Sequence, residues 1–305
     1  MTPSFLSSGD LIADRRASYA DMLFETGDHA AAADLMRQAL EIVPDWTAGL
    51  FRLGEMEAAA GQGDAAAKTW RRVLQLDPDD RFGASLKLAA TGHTAAPEMP
   101  PTAYVETLFD AYAPTFEAAL LDRLSYRVPE LLANAITALA PEKRFQSVLD
   151  LGCGTGLMGP YIRAAADYLA GMDLSEAMLQ KAAEKNLYDS LAKGDVNELD
   201  AQPSSADLVI AADVFVYVGG LDRAFANIAR TLRPDGLFVF SVENHESIEE
   251  PVLQPSLRYT HSKTYITRLL AEHAMVPVSI QCETIRLDRG EPLQGLIVVA
   301  RNQAD

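Results

Sequence analysis

The chain has 305 residues, 49% of them hydrophobic and 23% charged, with a formal charge of −17. That length holds about two ordinary domains with a substantial core, and the acidic balance argues against a broad basic surface that grips nucleic acid. Two cysteines, Cys153 and Cys282, cannot make a disulfide framework, no His/Cys cluster has zinc spacing, and neither a signal peptide nor an apolar run of roughly 18 residues is present, so a soluble cytoplasmic protein with no membrane partner is expected.

Residues 1 to 10 read as a loose polar start. From there to about residue 92 the chain is rich in alanine and repeats itself: Gly27 and Gly61, Ala32 and Ala66, and Pro44 and Pro78 are each separated by 34 residues. Glycine breaks the chain between helices, alanine permits close helix contact, and proline ends the second helix of a pair. The pattern resembles tetratricopeptide repeats. Leu50, Leu53, Gly54, Gly61, Ala66, Trp70 and Pro78 fit the second repeat. The first fits through Tyr19, Ala20, Ala32, Met36, Ala39 and Pro44 but carries Arg16 where a bulky apolar residue is expected. Asp80 to Thr91 would be a closing helix. Two repeats and a cap fall short of the roughly three needed for independent stability, so this all-α module (1–92) is expected to pack on the rest of the chain or on a second copy.

His93 to Pro101, with Pro97, Pro100 and Pro101, reads as a linker ahead of a domain at 102–305. Tyr104 to Tyr112 and Phe116 to Leu124 then place apolar residues at helical spacing, and residues 129 to 139 should form one more helix.

Ser147-Val148-Leu149-Asp150-Leu151-Gly152-Cys153-Gly154-Thr155-Gly156 is an apolar strand that enters a carboxylate and three alternating glycines. Such a strand suits a parallel sheet covered on both faces, and the glycines allow a sharp turn on which a ligand can lie. Leu157 occupies the place where a dinucleotide fingerprint needs its third glycine, and no lysine follows as in a phosphate loop. The stretch resembles motif I of the class I S-adenosylmethionine-dependent methyltransferases.

The resemblance continues downstream. Tyr168 to Met172 is a second strand ending in Asp173, about 20 residues past the glycines, where an acid would accept from ribose hydroxyls. Lys193-Gly194-Asp195-Val196 looks like the family's third-strand end, which implies that Asp195 meets the adenine amino group and the Val196 N–H the ring. Strand four, Ala206 to Ala211, stops at Asp213, the position that faces the transferable methyl in the family. Leu232-Arg233-Pro234-Asp235-Gly236 matches the turn before strand five, Leu237 to Val242.

Among the helices, Leu157 to Ala166 should be the first crossover, Ser175 should cap Glu176 to Lys185, and Leu221 to Thr231 should follow strand four. Glu243 to Thr260, broken by Pro251 and Pro255, reads as an irregular substrate-side insertion. Ser262 to His273 should be helical, and Pro277 to Ile285 and Leu293 to Val299 should be antiparallel strands joined at Asp288-Arg289-Gly290. The expected fold is an α/β, Rossmann-like seven-stranded methyltransferase sheet behind the helical module.

The resemblance implies S-adenosylmethionine as cofactor, held by Gly152, Gly154, Asp150 near its ammonium, Asp173, Asp195 and Val196. The segment before motif I would act as a lid, with Tyr112, and beside it Tyr104 and Phe109, closing the methionine end; helix packing is the alternative for these aromatics. Cys153 reads as a small loop residue. On the acceptor side stand Asp213, Tyr217, His245, Arg258, Tyr259 and His261. His261 is a candidate general base whose alternative is a place at the border of its helix. No metal-ligand set is evident. The expected function is methyl transfer to a small molecule. A protein acceptor recruited through the repeats, and a non-catalytic scaffold with a ligand-sensing fold, remain alternatives.

Overall fold

The computed structural model describes residues 7–199, 202–246 and 250–303. Residues 1–6 of the expected polar start and 247–249 of the expected insertion lie outside these. The chain forms two compact units, one running through Leu108 and including Pro255–Leu257, the other comprising Phe109–Gln254 and the chain from Arg258 onward.

The first unit is a succession of helices, α1 (Leu11–Glu25), α2 (His29–Leu40), α3 (Thr47–Ala59), α4 (Gly63–Leu76) and α5 (Ala84–Ala90), each packed on the next. Asp10 caps α1 by accepting from the Ile12 and Ala13 N–H groups, and Asp28 caps α2 through Ala31. Gly27 and Gly61 adopt φ of +88° and +77° with open space around them, so the turn conformation alone selects glycine there. Gly54 is glycine for a different reason: a Cβ would lie 2.3 Å from Trp70 Nε1. Ala13, Ala17, Ala20, Ala32 and Ala33 are fully buried around Met36 and Trp70, which lets the helices approach closely. Arg16, the departure from the repeat pattern, points its guanidinium at the Gln38 carbonyl, 2.6 Å away. Tyr104, grouped with the lid by its sequence, belongs to this unit, with its ring against Gly83.

The boundary between units falls within α6 (Thr102–Tyr112). A π-helical turn (Ala118–Arg123) and α7 (Val128–Leu139) lead to β1 (Phe145–Leu151), followed by α8 (Gly159–Ile162), β2 (Ala166–Asp173), α9 (Glu176–Glu184) and β3 (Ser190–Lys193). Then come β4 (Ala206–Ala211), α10 (Asp222–Thr231), β5 (Leu232–Asn244), β6 (Val252–Leu253), β7 (Tyr259–His261), α11 (Lys263–Glu272), β8 (Met275–Asp288) and β9 (Glu291–Asn302). Strands β3, β2, β1, β4 and β5 are parallel neighbours in that order; β9 pairs antiparallel with β5, and β8 with β9. Because β1 is followed by β2 on one side and β4 lies on its other side, the sheet's order reverses between β1 and β4. Ligand crevices form at the carboxyl edge of such a switch point. No helix among the described residues is long and apolar enough to cross a membrane.

Three expectations need correction. The described sheet has nine strands rather than seven, because the stretch read as irregular contributes β6 and β7, an antiparallel pair whose β7 adds to the end of β5. Two or three residues are too few for any period to show. The first crossover is one helical turn, α8, and a 3-10 turn (Arg163–Ala165), because β2 begins at Ala166. The Pro234-Asp235 turn lies inside β5 as an irregularity where pairing to β4 slips between Ala206 and Leu208.

Two apolar layers sandwich the sheet. On one face Phe215, Phe225, Phe238 and Phe240 stack and cross at centroid distances of 4.3 to 6.0 Å, all fully buried. Burial of such side chains contributes about 1.5–3 kcal/mol each. Phe215 thereby holds the short turn after β4 (Phe215–Tyr217) in place, which sets Asp213 and Tyr217 at the crevice.

Candidate active site

Gly152, Gly154 and Gly156 all take left-handed φ, +60°, +54° and +81°. Packing demands two of them: a Cβ on Gly152 would meet Val214 at 2.5 Å and one on Gly156 would meet Tyr188 at 2.9 Å. Above Gly154 the nearest atom is a Phe116 ring carbon at 3.8 Å, so this is where a ligand can approach the backbone. The Cys153 N–H is tied to the Met172 carbonyl and its buried thiol is pushed far up by burial, which leaves it unreactive.

Asp173 ends β2 and braces this loop. Its two carboxylate oxygens accept from the Gly154 and Ser175 N–H groups, both at 2.8 Å, and about two lone-pair positions remain for further donors. Burial raises its pKa while these amides pull it down. In register Asp173 faces Lys193, so Asp195 sits just beyond the neighbouring strand's end. There Asp195 accepts from the Asn197 N–H at 2.8 Å and opens a 3-10 turn that buries Val196.

Asp150 is 1% exposed. Tyr188 donates to its Oδ2 at 2.7 Å, whereas Oδ1 is buried with no hydrogen-bond partner among the described residues. Burial pushes this carboxyl up to about 7, against the Tyr188 hydrogen bond. A cavity of about 40 Å³ lies beside it, lined by Asp150, Gly152, Gly154, Phe116, Tyr126 and Ala212. An unpaired buried oxygen costs free energy until a donor arrives, so this free acceptor fits a ligand bearing an ammonium.

Phe109, Tyr112 and Phe116 make an aromatic group with centroid distances of 5.2 and 6.2 Å to Phe116, and Phe109 meets the Tyr217 ring edge-on at 5.0 Å. Two polar ties hold this segment to α9: Asp110 to Ser175 at one end and Glu117 to Lys185, 2.6 Å, at the other. The Tyr112 hydroxyl is buried without a partner among the described residues.

Across the crevice, Asp213 has φ +61°, its N–H donates to Ser241 Oγ at 2.9 Å, and its Oδ1 is buried and unpartnered. Burial raises its pKa and Arg258 opposes the rise. His261, fully buried in β7, shares Nε2 between the carbonyls of Val218 (3.0 Å) and Gly219 (3.2 Å). Those acceptors place the proton on Nε2, and burial pushes the ring's pKa down to about 4. This arrangement seats β7 on the turn after β4 and makes the imidazole a weak base. Tyr259 is buried in the same strand, whereas Tyr217 and Arg258 meet at 3.3 Å.

Asp110, Glu117, Tyr126, Tyr188, Glu243 and Arg286 also belong to this region and were not singled out by the sequence. Glu243 carries a signal in retrospect, as a charged residue directly after the buried run Leu237 to Val242, whereas Arg286 lies in a strand of mixed polarity that gives none. The others lie in amphipathic or loop stretches with no local mark.

Residues 149–240 match the family model described as a methyltransferase domain. A malonyl-acyl-carrier-protein O-methyltransferase of Enterobacter lignolyticus is 29% identical over 143 residues, 47% of this chain and 56% of the relative. The enzyme of the same name from a Methylovorus species is 30% identical over 182 residues, 56% of this chain and 60% of the relative. The chain thus spans less than two-thirds of these relatives' lengths. Among solved structures the cyclase SpnF superposes with a TM-score of 0.57 at 15% identity, over 68% of this chain and 98% of that one. The methyltransferase in complex with the Haloferax volcanii Trm112 activator gives 0.53 at 20% identity, over 66% and 98%. At these identities the superpositions establish the α/β Rossmann-like fold.

Proposed function

We propose that this chain is an S-adenosylmethionine-dependent methyltransferase acting on a small-molecule acceptor. The observation that carries the reading is the buried, unpartnered Asp150 Oδ1 beside the Gly154 approach, at the switch point of the sheet. The matched methyltransferase domain and the named activity of the curated relatives support the reaction class.

When bound, the cofactor supplies a methyl group already activated on a sulfonium, so the protein's task is placement and exclusion of water. In this reading Asp150 takes the ammonium, Gly152 and Gly154 shape the loop under the ligand, and Asp173 receives the ribose hydroxyls on its remaining lone pairs. Asp195 and the Val196 N–H flank the adenine, and Tyr112 with Phe116 keeps water from the methionine end. Asp213 borders the acceptor, and His261 positions the turn beneath it. The tie of the aromatic segment to both ends of α9 favours an enclosed small molecule over a protein chain.

The helices of 1–92 are read as a tetratricopeptide module with a linker at 93–101 and a catalytic domain at 102–305; the repeats offer a surface for a protein partner. An exposed free thiol, Cys282, suits a reducing cytoplasm. Calorimetry with S-adenosylmethionine tests the core of the proposal. Micromolar binding to the wild type that Asp173→Ala abolishes supports it, and a flat wild-type titration refutes it.

A further inference from the structure

Arg258 is the loosely held member of a buried charge cluster. Its Nε donates to the Tyr217 hydroxyl and its Nη1 to Glu243 Oε1, both at 3.3 Å, long for charge-assisted bonds of about 2.7–2.9 Å. Glu243 has a closer partner: Arg286 donates its Nη2 to the same oxygen, and both of those side chains are nearly inaccessible. Arg258 keeps 22% of its side chain exposed and its Nη2 has no partner among the described residues. Two guanidiniums therefore share one carboxylate; the buried Arg286 keeps its Nε without a partner among the described residues, and Arg258 is the one a ligand can reach.

The surroundings complete a receptor. The Tyr217 ring lies 5.7 Å from the Arg258 guanidinium carbon and also meets Phe109 of the aromatic segment. The Tyr112 hydroxyl is buried without a partner among the described residues, and its ring joins the same aromatic group through Phe116 and Phe109. Asp213, just ahead of the turn that carries Tyr217, has its own buried Oδ1 without a partner among the described residues. Arginine stays charged at any physiological pH, and Glu243 is the carboxylate that both guanidiniums meet.

We propose that Arg258, with the hydroxyls of Tyr112 and Tyr217, is the recognition site for a carboxylate borne by the methyl acceptor. The planar fork of one available guanidinium matches a carboxylate, two oxygens to two N–H groups. A phosphate dianion would bring a second charge against Glu243 and Asp213. Glu243 is an internal counter-ion that competes with the acceptor for Arg258, and Arg286 holds it away.

This inference rests on the methyltransferase reading for its location, and the test separates the two. The full chain is titrated calorimetrically with succinate, neutral succinamide and inorganic phosphate, with and without saturating S-adenosylhomocysteine. Succinate should bind at least tenfold more tightly than succinamide or phosphate. Arg258→Gln should remove that preference and Arg258→Lys should restore part of it. Glu243→Gln should tighten succinate severalfold, an outcome that a merely structural role would not give. Equal affinity for succinate and succinamide, tighter binding of phosphate, or unchanged preference in a folded Arg258→Gln protein overturns the inference. S-adenosylhomocysteine binding without succinate preference rejects the receptor and spares the methyltransferase reading; succinate preference without S-adenosylhomocysteine binding does the reverse.

Discussion

Ser175 Oγ donates to Asp110 Oδ1 at 2.5 Å across 65 positions of sequence, while the same hydroxyl accepts from the Met178 N–H as the cap of α9. One serine thus closes the helix that follows Asp173 and ties down the segment carrying Tyr112 and Phe116. Asp110→Ala removes the tie and leaves the cap. S-adenosylhomocysteine affinity should fall about fivefold, in keeping with one hydrogen bond of roughly 1 kcal/mol, and amide exchange over 109–118 should quicken. Unchanged exchange there would show that the segment is held by its aromatic contacts alone.

Asp173 serves the loop and, in the proposed function, the ligand. Replacement by Ala strands the Gly154 and Ser175 amides, so stability should fall by about 1–3 kcal/mol in urea unfolding along with loss of cofactor binding by more than about 100-fold. Asp173→Asn keeps one acceptor oxygen and should land between the two.

Asp150 makes a pH-dependent contribution of known sign. Burial raises its folded pKa from 3.8 to about 7, so the folded chain holds this proton more tightly than the unfolded one. Stability from this group is full below its unfolded value and is lost as pH rises through about 7. Asp150→Asn should therefore melt a few degrees above the wild type at pH 8, with the difference vanishing near pH 4, while cofactor binding is lost. Scanning fluorimetry across that range is the measurement, and a variant less stable at pH 8 would contradict the assignment.

His261 gives the opposite slope. Its folded pKa is pushed from 6.5 down to about 4, so its neutral form contributes stability that is present above 6.5 and drains away as pH falls toward 4. His261→Asn, which retains a donor for the Val218 and Gly219 carbonyls, should shrink the acid-side loss of Tm. Once an acceptor is in hand, the rate profile should keep its shape between pH 6 and 8 in this variant; a limb near 6.5 that disappears would restore the imidazole to a role in proton transfer.

Two glycines of the helical unit should respond unequally to Ala. At Gly54 the new Cβ would lie 2.3 Å from Trp70 Nε1, and overpacking of this kind costs about 1–3 kcal/mol. At Gly27 nothing lies within 4 Å and only the φ of +88° is penalised, about 1 kcal/mol. Urea midpoints of the two variants should rank accordingly.

The sequence by itself determined what depends on near neighbours along the chain. Strands appear as short apolar runs, the Ser175 cap and the left-handed glycines follow from local backbone chemistry, and the 34-residue repeat of Gly27 and Gly61 marks the helical turns. The acids at strand ends were legible too, since a parallel sheet brings all such ends to one edge. Tertiary structure decided the partners. Tyr188 reaches Asp150 from 38 positions away and Arg286 reaches Glu243 from 43, contacts made as distant segments pack, which no local pattern encodes. It also drew β6 and β7 from a stretch too short for periodicity, moved Tyr104 into the helical unit, and gave the His261 proton to two carbonyls. A side chain's type sets the chemistry it can offer; the burial and the neighbours that tune it exist only once distant segments have packed.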